Sequence, residues 1–346
     1  MNMLAARKRI LLFGLLLFLA GIAAVFLTAP EPQNKYMQTR TFPVMGTIGK
    51  FTVSAENPET VEKALNLAQD AVREIEGTCN IFDPESELSR LNRDASEREV
   101  VCSPLLWELL NEAERFYRLS GGAFDATVRP LMKLWGFHRK RYSLPSETEI
   151  EQIRKIVGWD KVLLNPERKS VFFRVKGVSI DLGGIAKGFA LDKAAEKIRS
   201  SGQCSAVLNL GGNILCIAQK NQRSFHIGIR DPLSPDRIFE TLEMRNQAIA
   251  TSGNYERYVI IDGKHYTHIM DPRTGKPVQD MLSVTVRTLR GVDSDALSTV
   301  LFVKGTDFAP EICRIFPDTG VIAVRRSTEN PSGTKISRYG TLAQKK

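Results

Sequence analysis

The sequence predicts an α+β fold in which mixed β-sheets pack against helices. Short β-rich stretches and stretches with helical periodicity follow one another without the strict strand–helix alternation of parallel α/β proteins. The 346 residues are 42% hydrophobic and 25% charged, with 25 Gly and 16 Pro, which is ordinary for a globular protein. This composition excludes a disordered chain, a collagen-like chain and a small disulfide-rich protein.

The first predicted elements are strands followed by two helices. Tyr36 to Ser54 has the pattern of strands and is broken by Met45-Gly46. Glu59 to Ile75 has helical period, because its apolar residues recur every three or four positions. The next helix covers Pro104 to Leu119, and Ser103 precedes it as the N-cap residue.

The rest of the chain is predicted to be rich in strands, with two further helices at Gly188–Ser200 and Ser294–Val303. Lys161 to Ile180 is β-rich, and Ala206 to Ala218 is a strand pair around Gly211-Gly212. The other predicted strands are Val162–Leu164, Val171–Phe173, Val178–Ile180, Phe225–Ile229, Ala248–Thr251, Tyr258–Ile261, Leu282–Val286 and Val321–Val324.

The net charge of +9 is carried by the two ends of the chain. Residues 1–29 contribute +3 and residues 325–346 contribute +5, which leaves +1 for residues 30–324. The part of the chain that is predicted to fold is therefore nearly neutral. A basic surface that follows nucleic-acid phosphates is not indicated.

An apolar run near the N-terminus predicts a membrane anchor. Ile10 to Ala29 holds 20 residues without a charge, and a helix of this length spans a ~30 Å hydrocarbon core. The basic residues before it predict that the N-terminus stays in the cytoplasm and that the chain after Pro30 lies beyond the membrane. A cleaved signal peptide is the alternative, although its apolar core is usually only ~7–15 residues long. A lipoprotein is not indicated, because the first cysteine is Cys79.

The five cysteines form no CxxC motif and no close Cys/His pair, so a zinc finger or a thioredoxin-type site is not indicated. In an oxidising compartment one or two disulfides could form, and the odd number would leave a free thiol. Buried apolar cysteine is the preferred interpretation.

Two segments place glycine or hydroxyl residues beside acidic residues. Asp181 to Gly188 lies between a predicted strand and a predicted helix, where a turn exposes backbone N–H and C=O groups to a ligand. In the second segment, a helix would place Asp295, Ser298 and Thr299 on one face, and this oxygen ligand set suits Mg²⁺. The structural alternatives are a tight turn for the first segment and a helix N-cap for the second.

Two further segments contain residues that a turn does not require. Asp271 to Gly275 is a good turn sequence, and it is preceded by His268, one of four histidines in the chain. His268 is a candidate catalytic residue, although a lone histidine more often has a structural role. Ser120 to Asp125 is a glycine-rich loop, which could also be a helix C-cap followed by a buried Phe.

Taken together and in order, these segments resemble the ApbE family, the FAD:protein FMN transferases. The resemblance covers about residues 40–325. The motifs that carry it are Val44–Thr47, Phe82–Asn92, Gly121–Asp125, Asp181–Gly188, Leu208–Asn213, Thr251–Gly253, His268–Gly275 and Ser294–Thr299.

The resemblance implies an ApbE-like α+β fold, FAD as the substrate and Mg²⁺ as a cofactor. It implies transfer of FMN from FAD to a Thr or Ser hydroxyl of a target flavoprotein as a phosphoester, with release of AMP. The residues that it places around FAD are Met45, Phe82, Ala123, Phe124, Asp125, Asp181, Lys187 and Ile269. The metal ligands that it implies are the Gly184 carbonyl, Asp295 and Thr299, with Ser298 as a further ligand. His268 matches the residue proposed as the base in the family, whereas Phe82 replaces the Tyr or Trp of many relatives.

Two other activities stay open at this point. One is a hydrolase that splits FAD into FMN and AMP with the same metal site. The other is a non-enzymatic anchored protein that binds FAD and therefore needs no catalytic base. The resemblance implies that the partners are acceptor flavoproteins, such as subunits of ion-pumping NADH:quinone or related redox complexes. It also places the catalytic domain on the periplasmic side of the bacterial inner membrane.

The chain is accordingly divided into five parts. These are a cytoplasmic basic flank at 1–9, a transmembrane signal-anchor at 10–29, a tether at 30–39, an ApbE-like flavin transferase domain at 40–325 and a basic C-terminal tail at 326–346.

Overall fold

The computed structural model describes residues 36–137, 143–220, 222–327 and 333–343. Its helices are α1 (Pro58–Cys79), α2 (Glu87–Asp94), α3 (Pro104–Ser120), α4 (Arg129–Leu134), α5 (Glu147–Arg154), α6 (Ala186–Ser200), α7 (Gly291–Lys304) and α8 (Ala309–Ile315). Its strands are β1 (Tyr36–Val44), β2 (Thr47–Ala55), β3 (Val100–Val101), β4 (Val162–Asn165), β5 (Ser170–Phe173), β6 (Ser205–Leu210), β7 (Asn213–Ile217), β8 (Phe225–Asp231), β9 (Ser234–Met244), β10 (Ala248–Gly253), β11 (Tyr258–Ile261), β12 (Lys264–Thr267), β13 (Met270–Asp271), β14 (Lys276–Pro277), β15 (Met281–Thr288), β16 (Gly320–Arg326) and β17 (Thr334–Gly340).

The anchor predicted at residues 10–29 lies outside the described residues. Within the four described ranges, no helix combines the length and the apolar character needed to cross a membrane.

An eight-stranded sheet with the order β1-β2-β6-β7-β10-β15-β16-β17 forms the centre of the fold. The α+β class is confirmed, but the prediction of mixed sheets is wrong for the described strands, because all neighbouring strands are antiparallel. Tight two-residue turns produce much of this order. Met45-Gly46 and Gly211-Gly212 both have positive φ values, which suits the turn of a two-residue hairpin.

Helices cover one face of the sheet. α1 packs on β1 and β2, α6 packs against both α1 and α7, and α7 packs on β10 and β15. The β8–β9 hairpin covers the other face, where its Ile227 and Leu242 pack with Val207 and Ile249 of the sheet. α7 is therefore held between the sheet and its neighbouring helices.

A smaller apolar cluster lies beside the main core and supports the segment that carries His268. It contains Trp135 next to α4, Ile150 of α5 and Ile261 of β11. The Trp135 indole N–H donates to the Gly275 carbonyl (2.9 Å), which ties the turn after His268 to this cluster.

Most of the predicted elements are present, with different ends. Ser103 caps α3 as predicted, since its side chain accepts a hydrogen bond from the Leu106 N–H. The strand predicted at Val178–Ile180 is absent from this described stretch. The backbone of Ile180 is instead bound by the Asn92 side chain, which donates to the Ile180 carbonyl (2.8 Å) and accepts from the Ile180 N–H (2.7 Å).

The sheet extends beyond both predicted ends of the domain at 40 and 325. β1 begins at Tyr36, inside the predicted tether, and β17 pairs with β16 inside the predicted basic tail. Both are edge strands with many exposed residues, and of the two only β1 lies in a stretch that was predicted to form strands.

The five cysteines are free thiols, and Cys102, Cys204 and Cys216 are buried. Burial raises the pKa of Cys79 and of Cys216 to about 12, so these thiols stay protonated at neutral pH.

Candidate active site

The glycine-rich turn before α6 approaches two other segments. The Asp181 carboxylate accepts a hydrogen bond from the Gly183 N–H (2.9 Å), which closes the turn. A Cβ built on Gly184 would lie 3.4 Å from the Phe124 ring and 3.5 Å from Thr299 Oγ1. The backbone of Gly184 is therefore next to α7, as a shared ligand site requires.

Asp295 faces α6 from the inner side of α7. Its side chain is buried, and Oδ2 accepts a hydrogen bond from the Gly188 N–H (2.8 Å). A Cβ on Gly188 would lie 2.1 Å from the Gly291 carbonyl oxygen, so only glycine permits this approach of the two helices. A backbone amide of α6 thus fixes the orientation of the carboxylate on α7.

Gly188→Ala should lower the free energy of unfolding by at least ~2 kcal/mol, because the added methyl group would overlap the Gly291 carbonyl. Gly77→Ala in α1 is the matched control, since a Cβ there has no described heavy atom within 4 Å. In a helix that substitution is expected to stabilise by ~0.5–1 kcal/mol. Urea unfolding of both variants measures the difference, and equal stabilities would contradict the close approach.

Three hydroxyl groups lie beside Asp295. Ser298 Oγ donates to the Asp295 carbonyl (2.8 Å) and lies 2.8 Å from Ser252 Oγ, which is 3.4 Å from Thr299 Oγ1. A hydroxyl carries one proton, so Ser298 accepts from Ser252 while it donates to the carbonyl. Ser298 is fully buried and already makes two hydrogen bonds, which leaves Thr299 the better placed of the predicted hydroxyl ligands.

These groups fit Mg²⁺. The Asp295 carboxylate, the Thr299 hydroxyl and the Gly184 carbonyl are hard oxygen donors, which Mg²⁺ prefers to nitrogen or sulfur. In the part of the chain that the structure describes, no three His, Cys, Asp or Glu side chains form a group that could hold a metal. A magnesium site here would therefore combine one carboxylate with neutral oxygens, water and substrate phosphate.

His268 follows β12, and the main chain orients its ring. Its Nδ1 (3.0 Å) and its backbone N–H (3.1 Å) both contact the Arg257 carbonyl oxygen. A carbonyl only accepts, so Nδ1 carries the proton and Nε2 keeps its lone pair. Burial, together with the positive charges of Lys187 and Arg257, lowers the pKa of His268 to about 4. The ring is therefore neutral at pH 7 and able to take a proton at Nε2.

Charged side chains connect His268 with the predicted metal ligands. Lys187 at the start of α6 lowers the pKa of both His268 and Glu256. Desolvation is the main cause of the raised pKa of Glu256, and the negative charge of Asp295 raises it further. The Ser252–Ser298 contact also joins the end of β10 to α7, so the α6 N-terminus, α7 and the β10–β11 connection lie close together, and we refer to the region between them as the cleft.

The β1–β2 turn borders the same cleft. Met45 is a non-glycine residue with a left-handed backbone (φ 51°), and its neighbour Gly46 is also left-handed. A Cβ on Gly46 would lie 3.4 Å from Arg257 Nη2. Since the Arg257 carbonyl holds His268, the turn that carries Met45 lies beside the histidine segment.

Arg129 links the segment of Phe82 to the segment of Asp181. Its guanidinium donates to the Ile81 carbonyl (3.1 Å) and to Ser179 Oγ (3.0 Å). Burial lowers the pKa of Arg129, and the charge of Asp181 raises it. The Phe82 ring is 70% exposed, and it lies in the segment that Arg129 holds near Asp181.

The remaining predicted FAD residues are part of the protein interior. Ala123, Phe124 and Ile269 belong to the main core. Asp125 is also buried, and its carboxylate accepts hydrogen bonds from the Thr127 N–H (2.8 Å) and hydroxyl (2.7 Å). Burial raises the pKa of Asp125 to about 6. Of these residues, Phe124 lies next to Gly184, and the Asp125 carboxylate stabilises a turn.

The sequence assigned no role to Ser252, Glu256 or Arg257, which the structure places in the cleft. Ser252 lies in the Thr251–Gly253 motif, so a hydroxyl residue at the end of a strand was a visible signal. Glu256 and Arg257 lie in a polar connection, where charged residues are ordinary, so no comparable signal identifies them.

Known proteins match this chain over most of its length. The sequence profile of the ApbE family matches residues 45–323. A FAD:protein FMN transferase of Klebsiella pneumoniae is 30% identical over 262 residues, which are 75% of this chain and 81% of the relative. A FAD:protein FMN transferase of Rhodobacter capsulatus is 32% identical over 91% of this chain, and the chain spans 59% of the length of that relative. The crystal structure of the ApbE protein of Thermotoga maritima has a TM-score of 0.79 and 30% sequence identity, and covers 88% of this chain and 97% of its own.

Proposed function

The chain belongs to the ApbE family and is a transferase, and we propose that it transfers FMN from FAD to a Thr or Ser hydroxyl of a target flavoprotein, with release of AMP. The names of the relatives support flavin transfer. The observation that carries the finer proposal is a neutral histidine that keeps its lone pair at Nε2 and lies in the same cleft as Asp295 and Lys187. Transfer of a phosphoryl-type group to a hydroxyl needs such a base beside groups that offset negative charge.

In this reaction the acceptor hydroxyl oxygen bonds to the FMN phosphorus of FAD. The bond between that phosphorus and the bridging oxygen breaks, and its electron pair leaves with AMP. His268 Nε2 takes the hydroxyl proton, and the Arg257 carbonyl keeps the ring oriented and stabilises the imidazolium that forms. The Lys187 ammonium offsets negative charge on the pyrophosphate.

The metal is part of the proposal. The Gly184 carbonyl, Asp295 and Thr299, with Ser298 as a further ligand, would hold Mg²⁺, which when bound offsets charge on the leaving phosphate. A single protein carboxylate is sufficient in this arrangement, because FAD brings its own phosphate oxygens.

The FAD site is proposed around the same cleft. Phe82 offers an exposed ring for stacking, and Met45 lies on the turn beside Arg257. Asp181 and Lys187 flank the glycine-rich turn, and the buried residues Ala123, Phe124, Asp125 and Ile269 form the supporting wall.

The test is a reaction of the full chain with FAD, MgCl₂ and a candidate acceptor flavoprotein, followed by mass spectrometry of the acceptor and measurement of AMP. Transfer predicts an acceptor heavier by the mass of FMN less one water, and an equal amount of AMP. Free FMN and AMP with an unmodified acceptor would indicate FAD hydrolysis. Unchanged FAD would contradict both enzymatic activities and favour a binding protein.

We further propose that the protein is anchored in the bacterial inner membrane by residues 10–29, with the catalytic domain on the periplasmic side. Acceptor flavoproteins of ion-pumping redox complexes would then be reached on that side.

The full chain should partition with membranes, whereas a chain that begins at Gln33 should stay in the aqueous phase, because the uncharged run ends before that residue. Ultracentrifugation of cell extracts compares the two. If the full chain is expressed and the protein recovered from the periplasm has a new N-terminus beyond residue 20, the apolar run has been cleaved, which would contradict the anchor.

A further inference from the structure

Asp192 lies on α6, outside the groups assigned above, and contacts the beginning of α7. Its carboxylate accepts two backbone hydrogen bonds, from the Gly291 N–H to Oδ1 (2.6 Å) and from the Val292 N–H to Oδ2 (2.9 Å). Gly291 and Val292 are the first two residues of α7. These are amides that a helix cannot satisfy within its own turns.

α7 depends on this contact because its own N-cap residue has no side-chain acceptor for these two N–H groups. The N-cap position holds Arg290, and a guanidinium donates hydrogen bonds but does not accept them. Arg290 is instead bound to Glu112 of α3 (2.6 Å). Asp192 therefore caps α7 from a neighbouring helix, and its negative charge is also favourable at a helix N-terminus.

The same pair of helices meets again one turn further along. Gly188 precedes Asp192 by four residues on α6, and its N–H donates to Asp295 Oδ2 (2.8 Å). Between these two contacts, the Gly188 and Gly291 backbones are so close that neither position tolerates a Cβ. The position of α7 along α6 is therefore fixed at two points, of which one is Asp192 and the other is the candidate metal ligand itself.

We propose that Asp192 is a positioning residue for the cation site, because it sets the register of α7 and hence the distances of Asp295 and Thr299 from the Gly184 carbonyl. This inference rests on the metal site of the proposed function. Asp192 contacts no proposed ligand of the cation, so its effect on cation binding passes through the helix.

The test compares Asp192→Asn with Glu108→Gln in the full chain. Glu108 of α3 binds Lys193, the neighbour of Asp192, so Glu108→Gln removes a carboxylate charge nearby without touching the amides of α7. Mg²⁺ binding is measured by isothermal titration in the presence of FAD, and backbone hydrogen exchange is measured for residues 288–300. Asp192→Asn should weaken Mg²⁺ binding by about 10–100-fold, as loss of a residue that orients metal ligands does, and speed exchange at the start of α7. Glu108→Gln should match the wild type in both measurements.

Transfer kinetics add a readout that general loss of stability would not produce. The Mg²⁺ concentration for half-maximal transfer should rise in Asp192→Asn, while kcat at saturating Mg²⁺ stays within a few-fold of the wild type. Asp192→Glu keeps the charge and displaces the carboxylate by one methylene, so it serves where Asp192→Asn does not fold. It should also bind Mg²⁺ more weakly than the wild type.

Wild-type Mg²⁺ affinity in Asp192→Asn and Asp192→Glu would overturn the inference, as would an equal loss in Glu108→Gln. Wild-type protein that binds Mg²⁺ but transfers no FMN would contradict the proposed reaction alone, and the variant titrations would still decide the role of Asp192. Wild-type protein that binds no Mg²⁺ would overturn both.

Discussion

Asp295→Ala should abolish Mg²⁺-dependent FMN transfer, with a fall of at least ~10³-fold at limiting Mg²⁺. Asp295 is the only charged protein group among the proposed ligands, and the Gly184 carbonyl and the Thr299 hydroxyl cannot replace its charge. A bound metal contributes several kcal/mol to stabilisation of a phosphoryl-type transition state, which corresponds to this loss in rate.

The substitution also removes the acceptor of the buried Gly188 N–H, which is expected to cost ~1–3 kcal/mol of stability. Asp295→Asn separates the two effects, because its amide oxygen can still accept from Gly188 while the charge is lost. It should fold like the wild type and be nearly as inactive as Asp295→Ala.

Asp293→Asn is the matched control on the same helix. Asp293 pairs with Arg115 and Arg290, so its loss should lower stability without changing the Mg²⁺ requirement. Transfer rates over a range of Mg²⁺ concentrations, together with thermal unfolding, distinguish the three variants. Wild-type transfer by Asp295→Asn at limiting Mg²⁺ would remove Asp295 from the site.

The sequence predicted the two helices of the site because their periodicity and their glycine-rich or hydroxyl-rich starts are local features. α6 and α7 begin at Ala186 and Gly291, two and three residues before the predicted starts. Both starts depend on tertiary contacts. In particular, the first amides of α7 are capped by Asp192 from another helix, which no local pattern reveals.

Residues that act through contacts distant in sequence could not be predicted. The strand expected at Val178–Ile180 has the right composition, but the Asn92 side chain takes the hydrogen bonds that a neighbouring strand would make. Arg257 lies in an ordinary polar connection, and its carbonyl becomes important only because the β11–β12 hairpin returns His268 to it. This contact continues the register of the hairpin beyond its Tyr258–Thr267 pair, and it was missed because the sequence analysis predicted β11 but not β12.

The pKa of His268 is a second property that depends on the fold. The reference pKa of histidine is ~6.5, which suits a base near neutral pH. In the structure, burial and the charges of Lys187 and Arg257 lower the pKa to about 4. Protonation of His268 therefore removes the base only in acid. Between pH 6 and pH 8, kcat/KM for transfer should not change through protonation of this group.

Bound FAD should change this pKa, because its pyrophosphate brings negative charge into the cleft. An opposite charge nearby favours the imidazolium, so the pKa of His268 should rise in the complex. The acid limb of kcat, which reports the complex, is then expected at higher pH than that of kcat/KM, which reports the free enzyme and should fall near pH 4. Identical acid limbs in both profiles would contradict electrostatic contact between His268 and the pyrophosphate.

His268→Asn should lower FMN transfer by ~10²–10⁴-fold while FAD affinity stays near the wild-type value. The asparagine N–H₂ can still donate to the Arg257 carbonyl, so the segment keeps its hydrogen bond, but no lone pair replaces Nε2. The defect should shrink as pH rises, since hydroxide or solvent can partly take the proton. His265→Asn, on the exposed side of the same hairpin, is the matched control and should transfer FMN normally. FAD fluorescence quenching and FMN transfer are measured on each variant. If His268 has a structural role, the substitution should reduce FAD binding and FMN transfer together. Wild-type transfer by His268→Asn would exclude His268 as the base.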